Sequence, residues 1–248
     1  MGKKLIAFFA LLPLLAMGGG QNVMTGNHRH VFAASGGHSF TLVHQTTGQL
    51  TGGNYVSSMT TALPSTAAGN TMLVLCNGNP SLTISSFSPA VTTVGTPITS
   101  STNGAQGYVG IIPNLSAGIT SITVNFTIQY ASISCQYDEI SGVITSSPID
   151  GTPSGMTQSS AYSTGNASSL TGSVTTTNAN DAIIGCVEVA TTVTFTAGTG
   201  YTLIPQTFSS PGMVCEYKVV SSSGAYNPGM TWNSNYYYAS ETFALELK

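Results

Sequence analysis

The stretch Ser121-Ile122-Thr123-Val124-Asn125-Phe126-Thr127-Ile128-Gln129 decides the fold class. Ile122, Val124, Phe126 and Ile128 alternate with Ser121, Thr123, Asn125 and Thr127. This period of two gives a β-strand one apolar and one polar face. Phe243, Leu245 and Leu247 repeat the pattern at the C-terminus against Thr242, Ala244 and Glu246. Further short β-favouring runs occur at 40–45, 71–77, 82–87, 107–112, 133–139, 182–189, 201–206 and 213–220. Turn signals separate them: Asn77-Gly78, Asn103-Gly104, Asp150-Gly151 and Asn227-Pro228-Gly229. Helix formers are scarce and no fixed-period repeat is visible, so an all-β sandwich or barrel is expected rather than a propeller or solenoid. Burying the alternating faces calls for two packed antiparallel sheets about 10 Å apart.

The start of the chain has a different texture. Lys3 and Lys4 precede an apolar run at 5–17, and Gly18, Gly19 and Gly20 follow it. This is the layout of a secretory signal peptide at 1–20, with a core too short to span a bilayer. A flexible leader is expected at 21–38 and a single folded domain at 39–248. No later segment is apolar and long enough to cross a membrane as a helix.

Removal of the signal leaves three cations, Arg29, Lys218 and Lys248, against eight carboxylates. Nucleic-acid binding, which needs a set of phosphate-neutralising cations, is thereby excluded. Charged residues make up 5% of the chain, against roughly 25% in an ordinary soluble domain. The surface must therefore be built from Ser, Thr, Asn, Gln and Gly. Such a surface offers little charge repulsion against self-association. Cys76, Cys135, Cys186 and Cys215 form an even set in an exported chain, so two disulfides are expected, with three connectivities open.

Several segments, in order, carry a resemblance. They are Ala68-Gly69-Asn70-Thr71-Met72-Leu73-Val74, Tyr137-Asp138-Glu139-Ile140-Ser141-Gly142 and Ser147-Pro148-Ile149-Asp150. Gly172-Ser173-Val174-Thr175-Thr176-Thr177, Asp181-Ala182-Ile183-Ile184-Gly185 and Gly198-Thr199-Gly200-Tyr201-Thr202 follow. The chain resembles secreted bacterial jelly-roll modules of uncharacterised function, found alone or in large cell-surface proteins. The resemblance implies a jelly-roll β-sandwich and, by analogy of fold alone, a lectin-like or adhesive role. Where such modules carry an Asp-x-x-Gly-Asn turn, this chain reads Phe87-Ser88-Pro89-Ala90, so contacts tied to that turn do not carry over.

The candidate binding residues are aromatic. Trp232 is the single tryptophan, Tyr236, Tyr237 and Tyr238 follow it, and Asn233 and Asn235 lie among them. Ring faces can stack on sugar C–H groups while amides bond the hydroxyls. The competing reading packs one set of rings in the core. Carboxylates at Asp138, Glu139, Glu188 and Glu216 admit glycoside hydrolysis as a distant alternative. Asp138 and Glu139, adjacent on one strand, should face opposite ways, and Glu139 and Asp150 suit turn hydrogen bonding. His28, His30, His38 and His44 sit near the N-terminus without a designed metal site, and no Gly-x-Ser-x-Gly elbow exists for a serine hydrolase. No cofactor or metal is expected. The expected function is a non-catalytic extracellular module that binds glycans or mediates adhesion. The alternative is a self-associating structural surface protein.

Overall fold

The computed structural model describes residues 25–26, 30–33, 38–78, 83–95, 107–126, 130–154, 157–158, 168–170, 172–189, 192–205, 212–233 and 238–248. The fold is all-β, with five antiparallel sheets among the described residues. The segment 1–20, where a signal peptide is expected, lies outside them.

Two large sheets form the centre. In the first, Ser39–Tyr55 pairs with Tyr130–Ser141, then come Thr71–Gly78, Gly107–Ile112 and the short Thr92–Thr93. In the second, Ile149–Asp150 and Thr157–Gln158 pair with Tyr238–Glu246, followed by Asp181–Val189, Gly212–Val220 and Thr202–Leu203. Their facing sides bury Phe40, Leu73, Leu75, Val109, Ile111 and Ile140 against Ala182, Ile184, Met213, Tyr217, Phe243 and Leu245. Phe40 and Tyr217 meet across this interface with ring centroids 4.6 Å apart.

Three smaller sheets cover the outer sides, which alternation alone did not foretell. Ser58–Ala62, Ser121–Phe126 and Ile84–Ser88 form one of them. It lays Met59, Ile122 and Val124 on Met72, Val74, Ile133 and Tyr137 of the first large sheet. On the second large sheet, Ser168–Ser169, Thr231–Trp232 and Phe195–Thr196 cover one end, and Val174–Thr175 with Ala225–Tyr226 the other. The molecule therefore has four layers. Every residue of Thr71–Gly78, Gly107–Ile112 and Asp181–Val189 is buried because these strands have protein on both faces.

The two halves of the chain share one strand order. In each large sheet the half's opening strand lies beside its closing strand, and the closing strand lies beside the long buried one. In each half a cover sheet sets an early strand and a middle strand on either side of the penultimate one. The halves then pack large sheet to large sheet.

Both disulfides form, as the cysteine count predicts. Cys76–Cys135 joins register partners in the first large sheet, and Cys186–Cys215 does the same in the second. Each half is thus closed by its own bridge. Two glycines permit close approaches that a side chain would block. A Cβ on Gly48 would lie 1.9 Å from the Thr61 hydroxyl, where Ser58–Ala62 crosses over Ser39–Tyr55. Gly142 (φ 99°) ends the first half, and a Cβ there would lie 1.6 Å from the Ser39 carbonyl oxygen.

The expected leader is partly structured. His30–Ala33 pairs with the start of Ser39–Tyr55, placing Phe32 opposite Phe40, and Thr25–Gly26 adds a second contact to the same strand. Val31 and Phe32 are adjacent apolar residues in a run too short to show a period of two, so this arm is not legible in the sequence. The strand expected at 201–206 is shorter in the structure: only Thr202–Leu203 pairs, and Gln206 lies outside the described residues.

Candidate functional site

The aromatic residues divide. Trp232 is only 3% exposed and belongs to the core beneath its cover sheet, with Leu170, Val187, Val189, Val214 and Met230. Phe195 meets it edge-on at 6.3 Å and Tyr238 at 4.9 Å. In the strand Thr231–Trp232, Thr231 faces outward, so Trp232 and Met230 face in. The Trp232 ring faces are consumed by packing and cannot stack on a sugar; this corrects the sequence expectation for that residue. Tyr238 is half-buried against it. Asn233 is exposed, and its Oδ1 accepts the Thr194 backbone N–H at 2.9 Å, which pins a turn. Asn235, Tyr236 and Tyr237 lie outside the described residues.

The carboxylates are committed to the interior. Asp138 and Glu139 do face opposite ways. Asp138 points between the large sheets, where Gln45 Nε2 donates to Oδ1 at 2.8 Å and Gln136 Nε2 donates to both oxygens. The same two amides donate to the Pro205 carbonyl of the opposite sheet's edge, at 2.6 and 3.1 Å, so this network ties the halves together. Burial pushes the Asp138 carboxyl up to about 7, against the pull of the Gln136 and Gln45 amides. Beside it Phe40, Leu42, Ile140, Ile204, Pro205 and Tyr217 line an apolar crevice too narrow to admit water.

Glu139 points the other way and accepts the Ala67 N–H and the Asn70 amide at 2.9 and 2.6 Å. Asp150 accepts the backbone N–H groups of Thr177 and Asn178, both at 2.8 Å, and the Thr177 hydroxyl. Burial opposes ionisation of Asp150, but these donors outweigh it and hold its carboxyl below the usual range. Glu139 and Asp150 are therefore turn anchors, as their positions predict. Glu216 is a third, taking the N–H groups of Gly198 and Met230 at 2.6 and 2.9 Å; burial still raises its carboxyl. Glu188 is fully buried.

Among the histidines, His38 Nδ1 contacts the C-terminal residue's carbonyl at Lys248, and His28 lies outside the described residues. No three His, Cys, Asp or Glu side chains among the described residues group closely enough to hold a metal ion.

The open surface of best-defined chemistry is the outer face of the first cover sheet. Ser58, Thr60 and Ala62 stand exposed beside Ser121, Thr123 and Asn125, with Ser86 and Ser88 on the third strand. Thr60 and Thr123 hydroxyls bond at 2.8 Å, and the Asn125 amide donates to the Ser86 hydroxyl at 3.0 Å. Sequence inspection missed this face because Ser58–Ala62 was not read as a strand. Its Ser-Met-Thr-Thr-Ala carries only one strongly apolar residue, although Met59 and Thr61 do alternate inward.

No family model, curated protein or solved structure matches the chain. No helix among the described residues is long and apolar enough to cross a membrane. The two disulfides fit an oxidising compartment.

Proposed function

We propose that the protein is an exported, non-catalytic module of two tandem jelly rolls that adheres to neutral, hydroxyl-bearing surfaces such as glycans. The observation that carries the reading is the outer face of Ser58–Ala62, Ser121–Phe126 and Ile84–Ser88: three strands of hydroxyls, with the Asn125 amide and no charge. Hydroxyls and amides both donate and accept, so they exchange hydrogen bonds with a polyhydroxylated partner without desolvating an ion. The jelly-roll assignment draws on the strand order of each half, with the opening strand beside the closing one and an early, a penultimate and a middle strand in the cover sheet. A non-catalytic role draws on the carboxylates, since Glu139, Asp150 and Glu216 anchor turns and Asp138 holds the sheet interface.

A glycan array of the mature protein tests this directly. Retention is expected on neutral glycans, unchanged in high salt because no ionic contact is there to be screened. Thr60→Lys should weaken that retention about tenfold, roughly 1.4 kcal/mol, while leaving the thermal midpoint within a few degrees. Full retention by the Lys variant would remove this face as the site.

A further inference from the structure

We infer that the fold is built for acid: Glu241 and Asp181 are held as neutral carboxylic acids, and the folded state loosens as pH rises through neutrality. Seven of the eight carboxylates are buried, and Glu246 alone is half-buried. No Lys or Arg appears among the buried residues described. The interior therefore gathers acids without gathering the cations that would pay for their charge.

Glu241 shows the consequence most clearly. It is fully buried, and neither carboxyl oxygen has a hydrogen-bond donor. It lies on the face of Tyr238–Glu246 that carries Phe243 and Leu245 toward the other large sheet. Across the register stands Cys186, which is disulfide-bonded, and one step further on the same face is Glu188. The opposing strand Gly107–Ile112 presents Val109 and Ile111. The other titratable side chains turned into this interface are the acids Glu188 and Asp138 and the phenol Tyr217, and no Lys or Arg is among the buried residues described. An ionised carboxylate left there would cost several kcal/mol, so the proton stays on.

Asp181 sits on the opposite face at the sheet's end, also fully buried. Its register partners are Glu246 on one side and Val220 on the other. The facing groups are Asp150, whose carboxylate it touches, Glu246, and the uncharged Thr176 above. Asp150 is held ionised by its own donors, so its negative charge disfavours a second one beside it. Burial first, then Asp150, pushes Asp181 up to about 7, and burial alone pushes Glu241 up to about 8.

Unfolded Asp and Glu release their protons near pH 4. Between that pH and about 7 to 8, the folded chain binds more protons than the unfolded chain. The stabilisation is complete below about pH 4 and is lost as pH rises through the folded-state values. Asp150, with the opposite displacement, takes part of it back only in strong acid, below the ordinary carboxylate range.

Thermal unfolding of the mature full-length chain from pH 3 to 9 tests the inference, together with proton exchange measured calorimetrically at pH 6 in buffers of different ionisation enthalpy. The midpoint should be highest near pH 4 and fall steadily above it, and unfolding at pH 6 should release protons. Glu241→Gln should flatten the upper limb and lower the unfolding equilibrium constant at pH 8.5 at least tenfold, with little change at pH 4. A midpoint that rises from pH 4 to 8, or proton uptake on unfolding at pH 6, would overturn the inference. So would a Glu241→Gln variant destabilised equally at both pH values. If that variant does not fold, the proton count on the parent chain decides the matter.

Discussion

Trp232→Ala is expected to lower stability by about 3–5 kcal/mol, the range for emptying a buried tryptophan position. The indole is 3% exposed and fills the space between its cover sheet and the second large sheet. Its removal leaves Val187, Val189 and Val214 facing a void, and Phe195 and Tyr238 lose their edge-on partner. Trp232→Phe should cost much less. Phenylalanine keeps most of the apolar contact and removes the indole N–H, which has no acceptor in its buried setting. Urea unfolding of the two variants separates this from a binding role. If the Ala variant kept parental stability and lost only glycan retention, Trp232 would be a surface ligand-binding residue after all.

Loss of either disulfide is the second large effect. Cys76–Cys135 closes a separation of 59 residues and Cys186–Cys215 one of 29. Chain entropy alone makes these worth about 4 and about 3.6 kcal/mol. Both pairs sit in buried clusters, Cys76 and Cys135 under the first cover sheet and Cys186 and Cys215 between the large sheets. Alanine at both members of a pair therefore also forfeits packing. Denaturation midpoints of the two double-Ala variants should fall well below the parent, by similar amounts. A midpoint unchanged in either variant would show that its bridge constrains nothing in the unfolded chain.

The all-β class was legible because period-two alternation has a single structural meaning. Ile122 and Val124 are buried while Ser121 is exposed, as the pattern requires. At the C-terminus the same pattern misled. Thr242 and Ala244 are as buried as Phe243 and Leu245, because a cover sheet lies on their side too. The sign of four layers was the unbroken run Met72-Leu73-Val74-Leu75-Cys76 and its counterpart Ala182-Ile183-Ile184, strands apolar on both faces.

The shared strand order of the halves was not legible. Asn70 to Cys76 and Asn180 to Cys186 have the same spacing, which hints at equivalence. Yet Cys76 faces the cover sheet and Cys186 faces the central interface, so the matching letters do not occupy matching faces. Pairing geometry, not residue identity, carries the repeat. For Trp232, a short run of aromatics fixes that rings alternate but not which side is inside. That is decided by Leu170, Val187 and Val214 from elements distant in sequence.

Peptide mapping of the purified protein without reduction tests the architecture most directly. Two halves of one strand order, each closed by its own bridge, predict two linked peptides and no free thiol: Cys76 with Cys135, and Cys186 with Cys215. A peptide joining Cys76 or Cys135 to Cys186 or Cys215, or four alkylatable thiols, would contradict it.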